Sequence, residues 1–284
     1  AHPGRHEEWF YLKYGMDLQK RFFDYYLKGL SNGWNREPRV WLNLRRPFSK
    51  DVELRKESEW PLKGTKWTKL YLDAGGKGKV SWSPPKTKRS KTFRALTRGI
   101  TWMSPPLKQE TEITGPIAAK IYVSSSTIDC DLFVTLQAFS PKGKEVYFQG
   151  TVDPKTPLAQ GWLRASHRKL DIAKSDPWRP YHTHDDKQQI IPNLIYEVDV
   201  EIWPQCIVLP KGFRLALNIS GQDFDRKGPA VAAYVPSRGS GPFLHDHPTD
   251  RPKEIFGGQT TLHTGPKHRS HVLLPVIPKR RRAK

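Results

Sequence analysis

Residues 196–203 read YEVDVEIW, and the fold is decided by how that stretch alternates. Tyr196, Val198, Val200 and Ile202 fall on one face, and Glu197, Asp199 and Glu201 on the other, which is the period of two expected of a half-buried strand. Residues 213–220, FRLALNIS, repeat the pattern with Phe213, Leu215, Leu217 and Ile219 directed inward. Pro210, Lys211 and Gly212 between them form a reversal signal. Further strands are expected at 40–44, 69–72, 119–124, 132–139, 146–149, 162–167 and 272–277. Pro-rich and Gly-rich loops separate them, and no interval is long and periodic enough for the helices of parallel crossovers. Two packed antiparallel sheets are therefore expected.

One segment departs from this pattern. From Trp9 to Lys28 the period is helical: Leu18, Phe22 and Tyr26 recur four residues apart, Phe23 and Leu27 widen the stripe, and Gly29 stands where a left-handed cap is wanted. Ser31, Asn32 and Gly33 then signal a turn. The reading is a mainly β protein, a jelly-roll β-sandwich over 37–278, preceded by a helical segment over 1–36 and followed by a basic tail over 279–284.

Composition narrows the function classes. Hydrophobic residues make up only 36% of the 284-residue chain, while there are ten Trp, so the interior must be built from few, bulky side chains. Two cysteines, Cys130 and Cys206, exclude a disulfide framework and favour a reducing, cytoplasmic setting, with a single bridge between them left open. No window is apolar enough to span a membrane, and no charged-then-apolar leader is visible. The net charge of +20 suits an anionic partner, but the basic residues are scattered apart from an acid-free span over 74–109 and the terminal tail. With no helix-turn-helix, zinc-finger or RNP-type pattern to convert charge into base readout, nucleic acid is disfavoured as a partner.

Several blocks, in order, carry a family resemblance: LQKRFFDYYLKGLSNGW (18–34), EPRVWLNLRR (37–46), ESEWPLKGTKWTKLYLD (57–73), PLAQGWLRASHRKLD (157–171) and GGQTTLHTG (257–265). Together with 113–146 and 196–224 they make the chain similar to the C-terminal half of the X-Pro dipeptidyl-peptidase and CocE/NonD serine hydrolases. The resemblance implies a jelly roll attached to an N-terminal α/β-hydrolase domain, of which residues 1–36 would be the last helix. It also implies a Ser-His-Asp triad that cleaves a small ester, an amide or an X-Pro peptide through an acyl-enzyme, without cofactor or metal.

The nucleophile of such an enzyme sits on a strand-to-helix elbow, usually G-x-S-x-G. No G-x-S-x-G occurs in this sequence; Gly239-Ser240-Gly241 and Ser220-Gly221 lack the second spaced glycine and read as loop and strand end. By the resemblance, His6, immediately ahead of EEWFY, is the candidate catalytic base, with His2 as the alternative and an ordinary surface histidine as the third reading. The nucleophile and acid are then expected on residues outside this chain. His182, His184, Asp185 and Asp186, and likewise His245, Asp246 and His247, cluster metal-ligand types but lack recognisable zinc spacing, and are read as hydrogen-bonded loop residues. Trp102 and Met103 are assigned to the core rather than to a pocket wall. A stand-alone jelly-roll binding module is the alternative function, and a homo-oligomer is compatible with either.

Overall fold

The structure is a computed structural model that describes residues 8–49, 51, 53–149, 155–226 and 244–278. Two helices open it, α1 (Glu8–Tyr11) and α2 (Lys13–Lys28), followed by a 3-10 turn over Trp34–Arg36. The strands are β1 (Val40–Leu44), β2 (Glu53–Glu57), β3 (Lys66–Asp73), β4 (Lys79–Ser81), β5 (Arg89–Arg94), β6 (Ile100–Met103) and β7 (Thr111–Ser125). They continue with β8 (Asp131–Phe139), β9 (Glu145–Val146), β10 (Ala159–Arg164), β11 (Tyr196–Leu209) and β12 (Arg214–Ser220). A short α3 (Lys253–Phe256) precedes β13 (Gln259–Thr264) and β14 (His271–Ile277).

Twelve strands form one sheet: ten lie on the path β10-β8-β12-β6-β4-β3-β14-β7-β13-β5, and two lie off it, β11 on the other edge of β7 and β9 on β8. The path turns at β6 and β4, where the pairing is parallel and limited to Lys79 opposite Met103. On either side of that corner the sheet forms two layers over a common core. Leu132, Val134 and Leu136 of β8 and Leu215, Leu217 and Ile219 of β12 come from one layer; Ile117, Ile121, Val198, Val200 and Ile202 of β7 and β11 come from the other. Removing each such side chain from water contributes roughly 1.5–3 kcal/mol. Trp102 is fully buried in this core, as its sequence context suggested.

The expected strands are present with shifted ends except 146–149, where β9 is only Glu145–Val146 and Phe148 makes an isolated bridge to Thr156. β11 runs on through Pro204 to Leu209, and β7 begins at Thr111 rather than near Ala119. The 162–167 stretch is a strand only as far as Arg164 and ends in a 3-10 turn. Pro210, Lys211 and Gly212 do make a turn, but β11 pairs with β7 while β12 pairs with β6 and β8. The turn therefore crosses between layers instead of closing a hairpin.

β1 and β2 form a separate hairpin sheet. It is fixed to the sandwich where Arg45 bridges Ile207 of β11 and where Arg55 donates to both carboxylate oxygens of Glu112 at 3.0 and 2.7 Å. The helical period is borne out, though the helix breaks at Leu12, whose ψ of 145° is extended. Gly29 caps α2 at φ 65°, a conformation that costs a Cβ-bearing residue strain. The only residue α2 buries is Asp24, which takes Lys20 and Lys28 as ion-pair partners. Both cysteines are free, Cys130 buried and Cys206 partly so.

Burial pushes the imidazole of His271 below its ordinary value of 6.5, and does the same to His182 and His263. The Nδ1–H of His271 donates to the Arg269 carbonyl at 2.6 Å, holding the ring in place between β14 and Tyr71. With depressed pKa values these rings stay neutral in the folded protein while the unfolded chain takes up protons near pH 6.5. Their stabilisation is thus complete above that pH and is lost as the pH falls through the folded values. Urea unfolding is expected to have a lower midpoint at about pH 5 than at about pH 7.5, and His271→Asn is expected to narrow that gap.

Candidate functional site

The residues read as catalytic from the sequence, His6 and His2, lie outside the described residues. A cavity of about 550 Å³ lies instead on the sandwich, between β8, β10, β11 and the loops carrying His182 and His245.

Its construction starts from a glycine. A Cβ on Gly161 would stand 2.0 Å from the Glu201 carbonyl oxygen, so only glycine lets β10 lie this close to β11. That approach brings the next side chain, Trp162, against Trp203 with ring centroids 5.4 Å apart at 74°. Trp162 is also the register partner of Phe133, and Arg164 that of Asp131, so these four side chains emerge on the same face of the β8–β10 ladder. Trp203 remains 63% exposed.

An ionic knot closes one end. The Asp131 carboxylate, only 8% exposed, accepts Arg164 Nε at 2.8 Å and Nη2 at 3.2 Å, and Arg251 Nε at 2.7 Å. Arg164 also donates to both carboxylate oxygens of Asp250 at 3.2 Å, and Arg251 donates to the backbone carbonyls of His245 and Gly221. The hydrogen bond to Asp131 raises the Arg164 pKa further, and Arg164 in turn holds Asp250 below the usual carboxylate range.

Histidines form the rest of the wall. His245 sits against Trp162 and Phe133, and its Nδ1 donates to the buried Asp223 carboxylate at 2.9 Å. The Nδ1 atoms of His167 and His184 are 3.1 Å apart. His184 occupies the left-handed region at φ 55°, a strained position for a residue with a side chain. The Nε2 of His182 is buried without a hydrogen-bond partner among the described residues.

The sequence places His182 and His184 in one polar loop and His245 in another; the fold lines one cavity with all three and His167. Among the described residues no three His, Cys, Asp or Glu side chains converge to hold a metal ion. The two tryptophans were missed, although a signal was present: in YEVDVEIW, Trp203 falls on the polar face with Glu197, Asp199 and Glu201, where an indole has no core to enter.

These elements define a mainly β, two-layer sandwich with a ligand-sized cleft on its outer face and a leading helix whose apolar stripe is exposed. The chain belongs to the X-Pro dipeptidyl-peptidase C-terminal non-catalytic domain family, which it matches over residues 32–273. It is 22% identical to cocaine esterase from Rhodococcus sp. (strain MB1 Bresler) over 92% of its own length and 45% of that protein. Its structure superposes on a CocE/NonD family hydrolase from Staphylococcus aureus with a TM-score of 0.84 and 25% identity, covering 97% of this chain and 48% of that one. An α-amino acid ester hydrolase shares the fold at a TM-score of 0.63 and 16% identity. The chain thus spans about half the length of these relatives. Among the described residues no helix is long and apolar enough to cross a membrane.

Removing the Asp131 carboxylate would leave two guanidinium groups, one of them only 6% exposed, without their shared acceptor. Asp131→Ala is expected to destabilise the fold by about 3–5 kcal/mol in urea titration. Asp250→Ala, at the 62% exposed end of the same knot, is expected to cost under about 1 kcal/mol.

Proposed function

We propose that this chain is the C-terminal part of a serine hydrolase, in which the sandwich over 37–278 buttresses an N-terminal α/β-hydrolase domain and residues 1–36 supply that domain's last helix. The observation that carries the reading is the apolar face of α2. Phe22, Phe23, Tyr26 and Leu27 are 40%, 50%, 60% and 75% exposed, and Phe22 packs its ring against both Phe23 and Tyr26. A contiguous aromatic surface of this kind is the face of an interface. An α/β-hydrolase lobe, whose sheet needs helices on both sides, supplies the matching surface.

The substrate is then a small ester, an amide or an X-Pro peptide, attacked by a serine of the preceding domain. His6 takes the serine proton and returns it to the leaving group. Two free thiols favour a cytoplasmic location.

The 284-residue chain alone is expected not to turn over p-nitrophenyl acetate, whereas a polypeptide that also carries the preceding half is expected to do so. In that longer protein His6→Ala is expected to lower kcat by roughly 10⁶-fold, the scale on which a triad member acts. Paired Phe23→Ser and Leu27→Ser changes are expected to lower its melting temperature while leaving the isolated chain's unchanged. Turnover by the 284-residue chain that disappears when one of its own serines is replaced would overturn the proposal.

A further inference from the structure

We propose that the cleft between β10 and β11 is a saccharide-binding subsite, which takes one or two residues of a neutral glycan against the rings of Trp203 and Trp162. Its volume of about 550 Å³ falls within the range of small-molecule sites, roughly 300–1,000 Å³. Three features of the lining decide the ligand class.

The first is the platform. Trp203 projects from the polar side of β11 and Trp162 stands edge-on to it at 5.4 Å, giving two indole surfaces at 74° to each other. An exposed indole presents a flat apolar face with a single N–H at its edge, which suits a pyranose ring that offers C–H groups on its face and hydroxyls around its rim.

The second is charge. Both arginines of the cleft are already engaged: Arg164 by Asp131 and Asp250, Arg251 by Asp131 and two backbone carbonyls. A phosphate or carboxylate ligand would have to displace bidentate carboxylates to reach them. The guanidinium groups therefore frame the cleft and leave it without a free anion-binding charge.

The third is the hydrogen-bonding character of the imidazoles. Because Asp223 can only accept, Nδ1 of His245 is a donor, and in the neutral ring its Nε2 is left as an acceptor. The His167–His184 contact requires one Nδ1 to donate and the other to accept. One ring then carries a donor at Nε2 and the other an acceptor. The wall thus offers donors and acceptors together, with the Glu201 carboxylate at its edge. A phosphate asks only for donors and an ammonium only for acceptors, whereas a hydroxyl uses both.

The test titrates the 284-residue protein with cellobiose, xylobiose, maltose and N,N′-diacetylchitobiose, each to roughly 20 mM, the range appropriate to one shallow subsite. Binding is read by calorimetry and by the indole N–H signals in a ¹H–¹⁵N spectrum, with the Trp203 signal assigned from Trp203→Phe. At least one disaccharide is expected to saturate and to shift the Trp203 signal. Trp203→Ala and Trp162→Ala are expected to weaken it at least tenfold and Trp203→Phe less, with Trp60→Ala, an exposed indole outside the cleft, without effect. Melting temperatures of the variants within a few degrees of the parent establish that they fold, and the wild-type spectrum reports on the cleft where they do not.

Saturation by none of the four sugars, binding that survives both tryptophan changes, or displacement of the sugar by tetramethylammonium or inorganic phosphate at equal concentration would overturn the proposal. The same titration on the longer polypeptide is expected to give the same affinity. Loss of binding there would mean that the preceding domain covers the cleft, and would overturn it too. Hydrolysis of p-nitrophenyl acetate by that polypeptide is measured separately, so a failed sugar titration leaves the hydrolase reading to its own test.

Discussion

Three prolines set the shape of the larger layer. Pro116 of β7, Pro204 of β11 and Pro275 of β14 cannot donate to a ladder, and a proline in a central strand is normally excluded. Here they occur together. The β11–β7 register slips between Ile202 and Gln205, opposite Ile117 and Gly115, and the β14–β7 register slips between Leu273 and Val276, opposite Ala118 and Ile113. The missing donors thus fall along one line across three neighbouring strands, where the ladder is already interrupted. Gly115 completes the line: at φ 147° it needs the freedom of glycine, and a Cβ there would stand 2.7 Å from Pro275 Cβ. A bend of this kind increases local twist and re-aims the side chains beside it.

The cleft depends on that bend. Trp203 is the residue immediately before Pro204, within the slipped segment of β11, so its indole leaves the sheet at the point where regular pairing stops. On the other layer Gly161 removes the one atom that would keep β10 away from the Glu201 carbonyl. The two layers therefore meet edge to edge where one is bent and the other has no side chain, and the tryptophans that follow are brought together. Asp131 then ties the strand end of β8 to Arg164 of β10 and to Arg251 of the loop before α3, fixing the rim with charge where the floor is fixed by packing.

How much of this was legible in the sequence follows from what each strand buries. β11, β12 and β8 declare themselves because each places a continuous apolar face in the common core, and their alternation survives in the one-dimensional pattern. β2 (ELRKE) and β5 (RSKTFR) are edge strands with largely exposed burial patterns, and β4 and β6 are only three and four residues long, so none has enough buried positions to write a period. β13 (QTTLHT) buries Thr260 and Thr264 alongside Leu262, and polar residues in a core face read as loop. The cleft was legible only as fragments. Its histidines sit in loops that sequence spacing cannot bring together, and its arginines come from positions far apart in the chain, so their convergence belongs to topology rather than to any local motif.

The helix shows the opposite relation between pattern and structure. Its four-residue spacing was read correctly as helical, yet an apolar stripe at that period ordinarily marks the side that packs on its own core, and here the stripe faces outward. What α2 offers the turn that follows it is polar, with Arg21 pairing with Glu37 at 2.6 Å, while the buried Asp24 pairs with Lys20 and Lys28 of the helix itself. Helical propensity alone rarely holds a segment of this length in water. The helix is thus held to the following turn by the Arg21–Glu37 pair and the Phe22–Trp34 ring contact, while the rest of its aromatic stripe stays exposed. The sandwich needs no such help, since its core closes without the helix. The molecule thus differs on the two sides of the turn after Gly29: a β body with its own apolar core and a polar-rimmed cleft on its outside, and a leading helix whose apolar stripe is left exposed.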